Sequence, residues 1–452
     1  MLTLGILADA LKGKLAGADV AFTGVSTDTR LLKPGELFVA LPGPNFDGHH
    51  FLAEAITAGA AAALVSRPIE TPLPCVLVAD TRAALGAFAA FWRNQFAIPV
   101  IAVTGSNGKT TVKEMIGAIL SERGGGCVTR GNLNNDIGVP LTLLRMRQGD
   151  RFAVIEMGMN HRGEIEYLSR LTRPTIALIT NAAEAHLAGL GSIEEVARAK
   201  GEVFAGLTPD GVAIINADDA FADLWKTIAA PRRYLTFGLD TKAFVNAQYQ
   251  ADRHGSAIHL QTTHGDIDMR LPLLGRHNVM NALAAGTAAL AAGAPLEDVR
   301  SGLQKLQPVA GRLELKDGIN GARVIDDTYN ANPTSLAAGL QVLRDFAGER
   351  VLVFGDMGEL GPAGPALHQR VGDLARRLGI QRLYAMGELA RLAVVAFGKG
   401  GRRFDSHEAL VDALLDTMHG DMTILVKGSR AMHMERVVAG IVRQSTPVAE
   451  SR

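Results

Sequence analysis

The segment TGSNGKTT at 104–111 has the residue types of a phosphate cradle. It follows the apolar run IPVIAV (98–103) and precedes Val112, Met115, Ile116, Ile119 and Leu120, which recur at helical spacing. A strand, a glycine turn and a helix in that order present backbone N–H groups and a helix N-terminus to an anion. Lys109 would reach the β- and γ-phosphates of a nucleotide, and the Thr110 hydroxyl would ligate Mg²⁺. Thr104, Gly105, Ser106, Asn107, Gly108 and Thr111 make up the rest of the cradle. The full P-loop pattern places a glycine five residues before Gly108, where this chain has Val103.

Other residues sit where chemistry is expected. Glu156 ends the apolar run FAVIEM (152–157), on the side of a parallel sheet where ligands bind. A carboxylate there either holds Mg²⁺, which prefers oxygen ligands, or is a solvated strand-end acid. His186 follows TIALIT (175–180) and alone reads as a loop histidine. Asn278 and Asn281, at i and i+3, share one helix face and suit either an adenine or a cap and a packing contact. In SIEEVARAKGEVFAGL (192–207), Ile193, Val196, Val203, Phe204 and Leu207 form one apolar stripe. Lys200 lies inside that stripe, while Glu194, Glu195, Arg198 and Glu202 lie outside it. Either it snorkels to solvent, or burial favours its neutral amine, which can take up CO₂ as a carbamate.

Three blocks must position these residues. The first carries GELFVAL (35–41), AALVS (62–66) and CVLVAD (75–80), alternating with helical patterns near 49–58 and 82–96. The second carries four uniformly apolar runs, at 98–105, 152–157, 175–180 and 211–216, as strands buried on both faces require. A stretch near 243–272 reads as antiparallel and is expected to form a small side sheet. The third restarts after QPVAGR (307–312) with ARVIDD, RVLVFG, QRLYAM and MTILVKG, a second parallel sheet. Boundaries fall near Arg82 and Val309, giving units 1–82, 83–309 and 310–452. The expected fold is α/β with three domains: a small α/β unit, a P-loop unit with a parallel sheet, and a Rossmann-like unit.

Composition narrows the classes. Lys plus Arg (46) equals Asp plus Glu (46), which argues against nucleic acid as a partner. The longest apolar run, Ala282 to Leu296, is too short to span a bilayer, so no membrane insertion is expected. Two cysteines, Cys75 and Cys127, suit a reducing compartment, and MLTLGILADALKGKL lacks a basic leader. A cytoplasmic enzyme is expected.

The short phosphate motif resembles that of the Mur ligases, ATP-dependent amide-forming enzymes of peptidoglycan assembly. GNLNNDIGVPLTLLR (131–145), IEMGMNHRGEIEYL (155–168), NAAEAHL (181–187), GRHNVMNALAA (275–285), AGRLE (310–314), IDDTYNANPTS (325–335) and LVKGSRAMHME (425–435) resemble the family's blocks in order and spacing. The resemblance implies ATP and two Mg²⁺, with Glu156 and His186 as metal ligands and Lys200 as the carbamylated lysine. It implies nucleotide contacts from Arg312 and Asp327 and a catalytic set of Lys109, Glu156, His186 and Lys200. The first block is similar to that of members acting late in the pathway. There it implies a site for UDP-N-acetylmuramoyl-tripeptide built from Ser26, Thr27, Arg30, Asn45, Phe46, Asp47, Gly48 and His49, with Asn134, Asn135 and Asp136. No Asp-Asn-Pro-Arg tetrapeptide occurs, and TYNANPTS and KGSRAMHME are similar to the members that add D-alanyl-D-alanine. Acceptor contacts are expected from Tyr329, Asn330, Asn332, Ser429 and Arg430, in a monomer. A folylpolyglutamate synthase-like ligase and a non-catalytic nucleotide-gated binding protein are the alternatives.

Overall fold

A computed structural model describes residues 2–185 and 187–443. The expectation for His186 lies outside the described residues. Three sheets of five, nine and six strands organise the chain, with a two-stranded ribbon (Leu2–Thr3 with Ala21–Phe22) beside the first.

In the first unit, strands Val25–Ser26, Leu37–Val39, Ala62–Val65 and Cys75–Leu77 run parallel, and Lys14–Ala16 pairs antiparallel at the edge. Helix Thr81–Arg93 then leads across the boundary expected near Arg82. Asp80 starts it by accepting from the N–H groups of Arg82 and Ala83, at 2.7 and 3.1 Å. Leu85, Phe88 and Ala89 on its inner face are fully buried, and Phe88 meets Phe22 edge to face. At its end the buried Arg93 guanidinium donates to the carbonyls of Phe96, Thr172 and Arg173. The helix is therefore packed on one unit and tethered to the next.

The central sheet is parallel from Arg233–Phe237 through Val212–Asn216, Ile176–Ile179, Val100–Thr104 and Ala153–Glu156 to Cys127–Val128. Strands Val245–Asp252, Gly255–Thr262 and Gly265–Leu271 are antiparallel to one another, as expected. They do not form a separate side sheet. The pairing of Phe237 with Val245 joins them to the parallel strands, making one sheet.

The last sheet orders Glu314–Asp317, Arg323–Asp327, Met422–Lys427, Glu349–Gly355, Arg382–Met386 and Gly401–Phe404. The four expected strands are inside it. Two edge strands, Glu314–Asp317 (antiparallel) and Gly401–Phe404 (parallel), were not anticipated. Both are four residues long, with three and two charged residues respectively, as edges facing water usually are. Among the described residues no helix is long and apolar enough to cross a membrane.

Candidate functional site

The phosphate motif folds as strand Val100–Thr104, a turn, and helix Lys109–Ser121. Gly105 and Gly108 both take positive φ, 147° and 81°. A Cβ on Gly105 would sit 1.8 Å from Thr180 Oγ1, so only glycine fits there. The neighbouring strand end straps the turn down. Asn107 N–H donates to Asn181 Oδ1 (3.0 Å), its carbonyl accepts from Thr180 Oγ1 (2.6 Å), and Ser106 Oγ accepts from Ala183 N–H (3.0 Å). Thr104 Oγ1 donates to the Met157 carbonyl, and Thr110 and Thr111 are buried on the first helical turn. Lys109 Nζ folds back to donate to the Gly105 carbonyl at 2.8 Å. Burial lowers its pKa, with Glu156 opposing and Arg312 reinforcing that shift.

Glu156 ends strand Ala153–Glu156 and is almost wholly buried. Its Oε1 accepts from Asn134 Nδ2 at 2.8 Å, and its buried Oε2 has no partner among the described residues. Lys200 lies on helix Ile193–Gly201 with its side chain entirely enclosed and its Nζ without a partner among the described residues. Burial pushes that amine well below the ordinary lysine value, Lys109 pushes the same way, and Glu202 opposes. The apolar stripe thus buries Lys200 as its spacing implied, although Ile193 at the stripe's start is exposed. An open carboxylate oxygen suits a hard cation. Among the described residues no three His, Cys, Asp or Glu side chains are grouped to hold one, so Glu156 would need oxygens of other origin.

Asn278 and Asn281 sit buried on helix Arg276–Ala291, behind the cradle. Asn278 Nδ2 donates to the Leu274 carbonyl, and Asn281 Nδ2 donates to Asn278 Oδ1. Next to them the His277 pKa falls to about 4, by burial first and the Lys427 charge second. From the C-terminal unit, Arg312 donates through Nη2 to Thr110 Oγ1 (3.0 Å) and lies 4.1 Å over the Tyr329 ring. Asp327 accepts from Lys427 Nζ at 2.6 Å, and the same ammonium donates to the Asn330 carbonyl. Burial raises the Asp327 pKa against the pull of Lys427.

Ser106 to Thr111, Glu156, Asn278, Asn281, Arg312, Asp327 and Lys427 line one cleft of about 2090 Å³ between the central and C-terminal units, while Lys200 is enclosed and outside its lining. The acceptor candidates Tyr329, Asn330, Asn332, Ser429 and Arg430 all line it, and Arg430, mostly exposed, also pairs with Glu435 at 3.5 Å. Asn332 caps helix Pro333–Arg344 and reaches the phosphate turn itself, donating from Nδ2 to Asn107 Oδ1 at 2.7 Å.

The expected UDP set is drawn from the first unit and from the central cleft. Ser26, Thr27, Arg30 and Asn45 to His49 lie on the first unit, outside the cleft. Arg30 is exposed and held bidentate by Asp28, at 2.9 and 2.6 Å. Asp47 accepts from the His49 N–H and meets His49 Nδ1 and Arg67, and His49 Nε2 accepts from Ser66 N–H. His49 is therefore buried in its own loop, while Phe46 is 73% exposed. Gly48 admits no Cβ, which would lie 2.6 Å from the Leu41 nitrogen. Asn134, Asn135 and Asp136 line the central cleft instead: Asn134 holds Glu156, Asn135 caps Gly138 N–H, and Asp136 pairs with Arg82.

The motif reading passed over several residues. Lys427 ends the fully buried strand Met422–Lys427, and a lysine closing an apolar run was the available signal. Thr180 and Asn181 close another such run. Buried Lys113, which donates to the Thr129 carbonyl at 2.7 Å, had no signal beyond its place on the helix after the cradle.

Comparison with known proteins agrees with this architecture. Residues 103–289 match the model of the Mur ligase middle domain, 311–430 that of the Mur ligase glutamate ligase domain, and 21–93 that of the Mur ligase family catalytic domain. The UDP-N-acetylmuramoyl-tripeptide–D-alanyl-D-alanine ligase of Escherichia coli (strain K12) is 46% identical over 448 residues, covering 98% of this chain and 99% of the relative. A crystal structure of MurF from Acinetobacter baumannii is 38% identical with a TM-score of 0.91, covering 96% and 97% of the two chains. MurF ligase from Thermotoga maritima in complex with ADP is 25% identical with a TM-score of 0.81, covering 92% and 96%. With three matched domain models in the family's order and relatives aligned along almost its whole length, the chain belongs to the Mur ligase family.

Proposed function

We propose that this chain is the ATP-dependent ligase that joins D-alanyl-D-alanine to UDP-N-acetylmuramoyl-tripeptide, yielding the pentapeptide precursor, ADP and phosphate. The observation that carries the reading is a glycine phosphate cradle facing Asn330 and Ser429 across one cleft, in a chain 46% identical to a ligase of that name. Residues 83–309 bind ATP, residues 310–452 supply the acceptor face and nucleotide contacts, and residues 1–82 take the uridine end.

The tripeptide's terminal carboxylate attacks the γ-phosphorus and releases ADP. The amine of D-alanyl-D-alanine attacks the resulting acyl phosphate, and the tetrahedral intermediate expels phosphate. No enzyme nucleophile is required; the work is positioning and charge neutralisation. Lys109 offsets charge on the transferring phosphoryl group, and Arg312 adds a second cation from across the cleft. Asn278 and Asn281 face the nucleobase, and Asp327, oriented by Lys427, faces the ribose. Enclosure between the units keeps water from the acyl phosphate.

Mg²⁺, when bound, neutralises phosphate charge. Thr110, Glu156 through its open Oε2, His186 and carbamylated Lys200 would hold two ions. The neutral, enclosed Lys200 amine is the state that combines with CO₂, and a carbamate would add the oxygens that Glu156 lacks around it. The protein acts as a monomer in the cytoplasm. Phosphate release from ATP tests the function. It should require both the UDP-muramoyl peptide and D-alanyl-D-alanine, with mass spectrometry finding the dipeptide adduct when single amino acids compete. Turnover without an acceptor would overturn the assignment.

A further inference from the structure

Asn332 is oriented by its own helix. As N-cap of Pro333–Arg344 it accepts the Ser335 N–H at Oδ1, 2.9 Å away, while Ser335 Oγ accepts the Asn332 N–H. Only Nδ2 is left to face the central unit. An amide nitrogen donates and does not accept, so the Asn107 atom that meets it must be Oδ1. The cap on one unit thereby settles which way a side-chain amide points on another. Asn107 Nδ2 is turned to the other side, where it is buried without a partner among the described residues. The Asn107 backbone is already committed, its N–H to Asn181 and its carbonyl to Thr180 and Asn181. A buried N–H₂ group left open in a loop that lines the cleft beside Lys109 and Thr110 calls for an acceptor from a ligand.

We propose that Asn332 is a positioning residue: it holds the Asn107 amide so that Nδ2 donates to the terminal phosphoryl group of the nucleotide. Such a bond to an oxyanion is charge-assisted, stronger than a neutral one. It forms only while the C-terminal unit rests on the phosphate turn, so arrival of that unit completes the cradle as well as covering it. The inference rests on reading TGSNGKTT as the ATP site.

Two substitutions separate this relay from a plain contact. Asn332→Ser keeps a strong helix cap but is too short to reach Asn107. Asn332→Asp also keeps the cap, yet offers Asn107 only acceptors. The Asn107 amide would then rotate to donate to it and present Oδ1 to the phosphate. Asp should therefore be the worse of the two, with kcat down about a hundredfold against about tenfold for Ser, the range of one hydrogen bond to a charged group. KM for the UDP substrate should not move. Equilibrium binding should show ADP affinity unchanged and a non-hydrolysable ATP analogue weakened in the same order. In an Asn107→Ala background the difference between Ser and Asp should disappear, whereas direct repulsion by the new carboxylate would leave it in place. Equal effects of Ser and Asp, survival of their order without Asn107, or equal weakening of ADP and the ATP analogue would each overturn the proposal. Absence of ligation by the unaltered protein would instead remove the ligase reading, and the binding comparison would still decide the relay.

Discussion

Replacing Lys200 with methionine should abolish ligation while making the protein more stable. The lysine is entirely enclosed and its Nζ has no partner among the described residues. An unsatisfied buried polar group costs about 1–3 kcal/mol, and methionine removes it while keeping a similar length. For a folding unit of about 150–250 residues each kcal/mol shifts Tm by about 2–4 °C, so the gain is about 2–12 °C. Proton linkage adds to it with a definite sign. The folded amine is held well below the ordinary lysine value of 10.5. Between the folded and unfolded pKa values the unfolded chain binds the extra proton, so stability of the unaltered protein rises with pH across that window. Each pH unit within it changes stability by up to ~1.4 kcal/mol. The methionine variant has no such proton, so its advantage should widen as pH falls below the ordinary lysine value of 10.5 through that window. Bicarbonate should narrow the gap by converting the amine in the parent, leaving the variant unaffected. Thermal melts at several pH values, with and without bicarbonate, read all of this. A methionine variant less stable than its parent at every pH would refute the reasoning, because Nζ would then have a stabilising partner in solution.

Lys109→Ala should eliminate amide formation with little change in Tm; a folded variant with near-normal turnover would remove this lysine from the cradle. Arg30→Ala should raise KM for the UDP-muramoyl peptide far more than KM for ATP, since Arg30 stands exposed on the first unit with only Asp28 holding it; steady-state kinetics with each substrate varied would show the reverse if the uridine site lies elsewhere. Lys427→Met should cost about 3–5 kcal/mol by stranding Asp327, and adding Asp327→Leu should recover most of it, as denaturant midpoints would report.

The phosphate turn was legible because its constraints are local: two glycines at positive φ, one close backbone approach, one apolar helix face. Lys200 was half legible: helical spacing puts it inside the apolar stripe and leaves open whether it turns to solvent or stays enclosed, and the fold encloses it. What was not legible depends on partners remote in sequence. Asn332 is expected only as an acceptor contact in TYNANPTS, and its bond to Asn107, 225 positions away, exists only once the C-terminal unit is docked. Asn134 is expected as a substrate contact, and its bond to Glu156 exists only once strand Ala153–Glu156 brings a carboxylate to it. The antiparallel strands looked independent because the pairing of Phe237 with Val245, which attaches them, leaves no periodic mark. His49 had the chemistry of a ligand contact, but its loop uses both ring nitrogens.

The apolar cores divide the molecule unevenly. One cluster runs from Leu4 and Leu7 through Phe88 to Ile179 and Trp225, so the first and central units share an interior. The C-terminal clusters draw on residues from Leu313 onward, with Leu274 the exception. Across that second boundary stand the polar contacts of Asn332 with Asn107, Arg312 with Thr110, and Arg370 with Glu184. For recombination among relatives, the two junctions are therefore not equivalent. A foreign C-terminal unit grafted after residue 312 needs to match a few polar side chains and one leucine socket. A foreign first unit has to rebuild its share of a common hydrophobic core, and unmatched volume there costs about 1–3 kcal/mol per ill-fitting side chain. On the proposed division of roles, acceptor choice is thus the more exchangeable half of this enzyme's specificity.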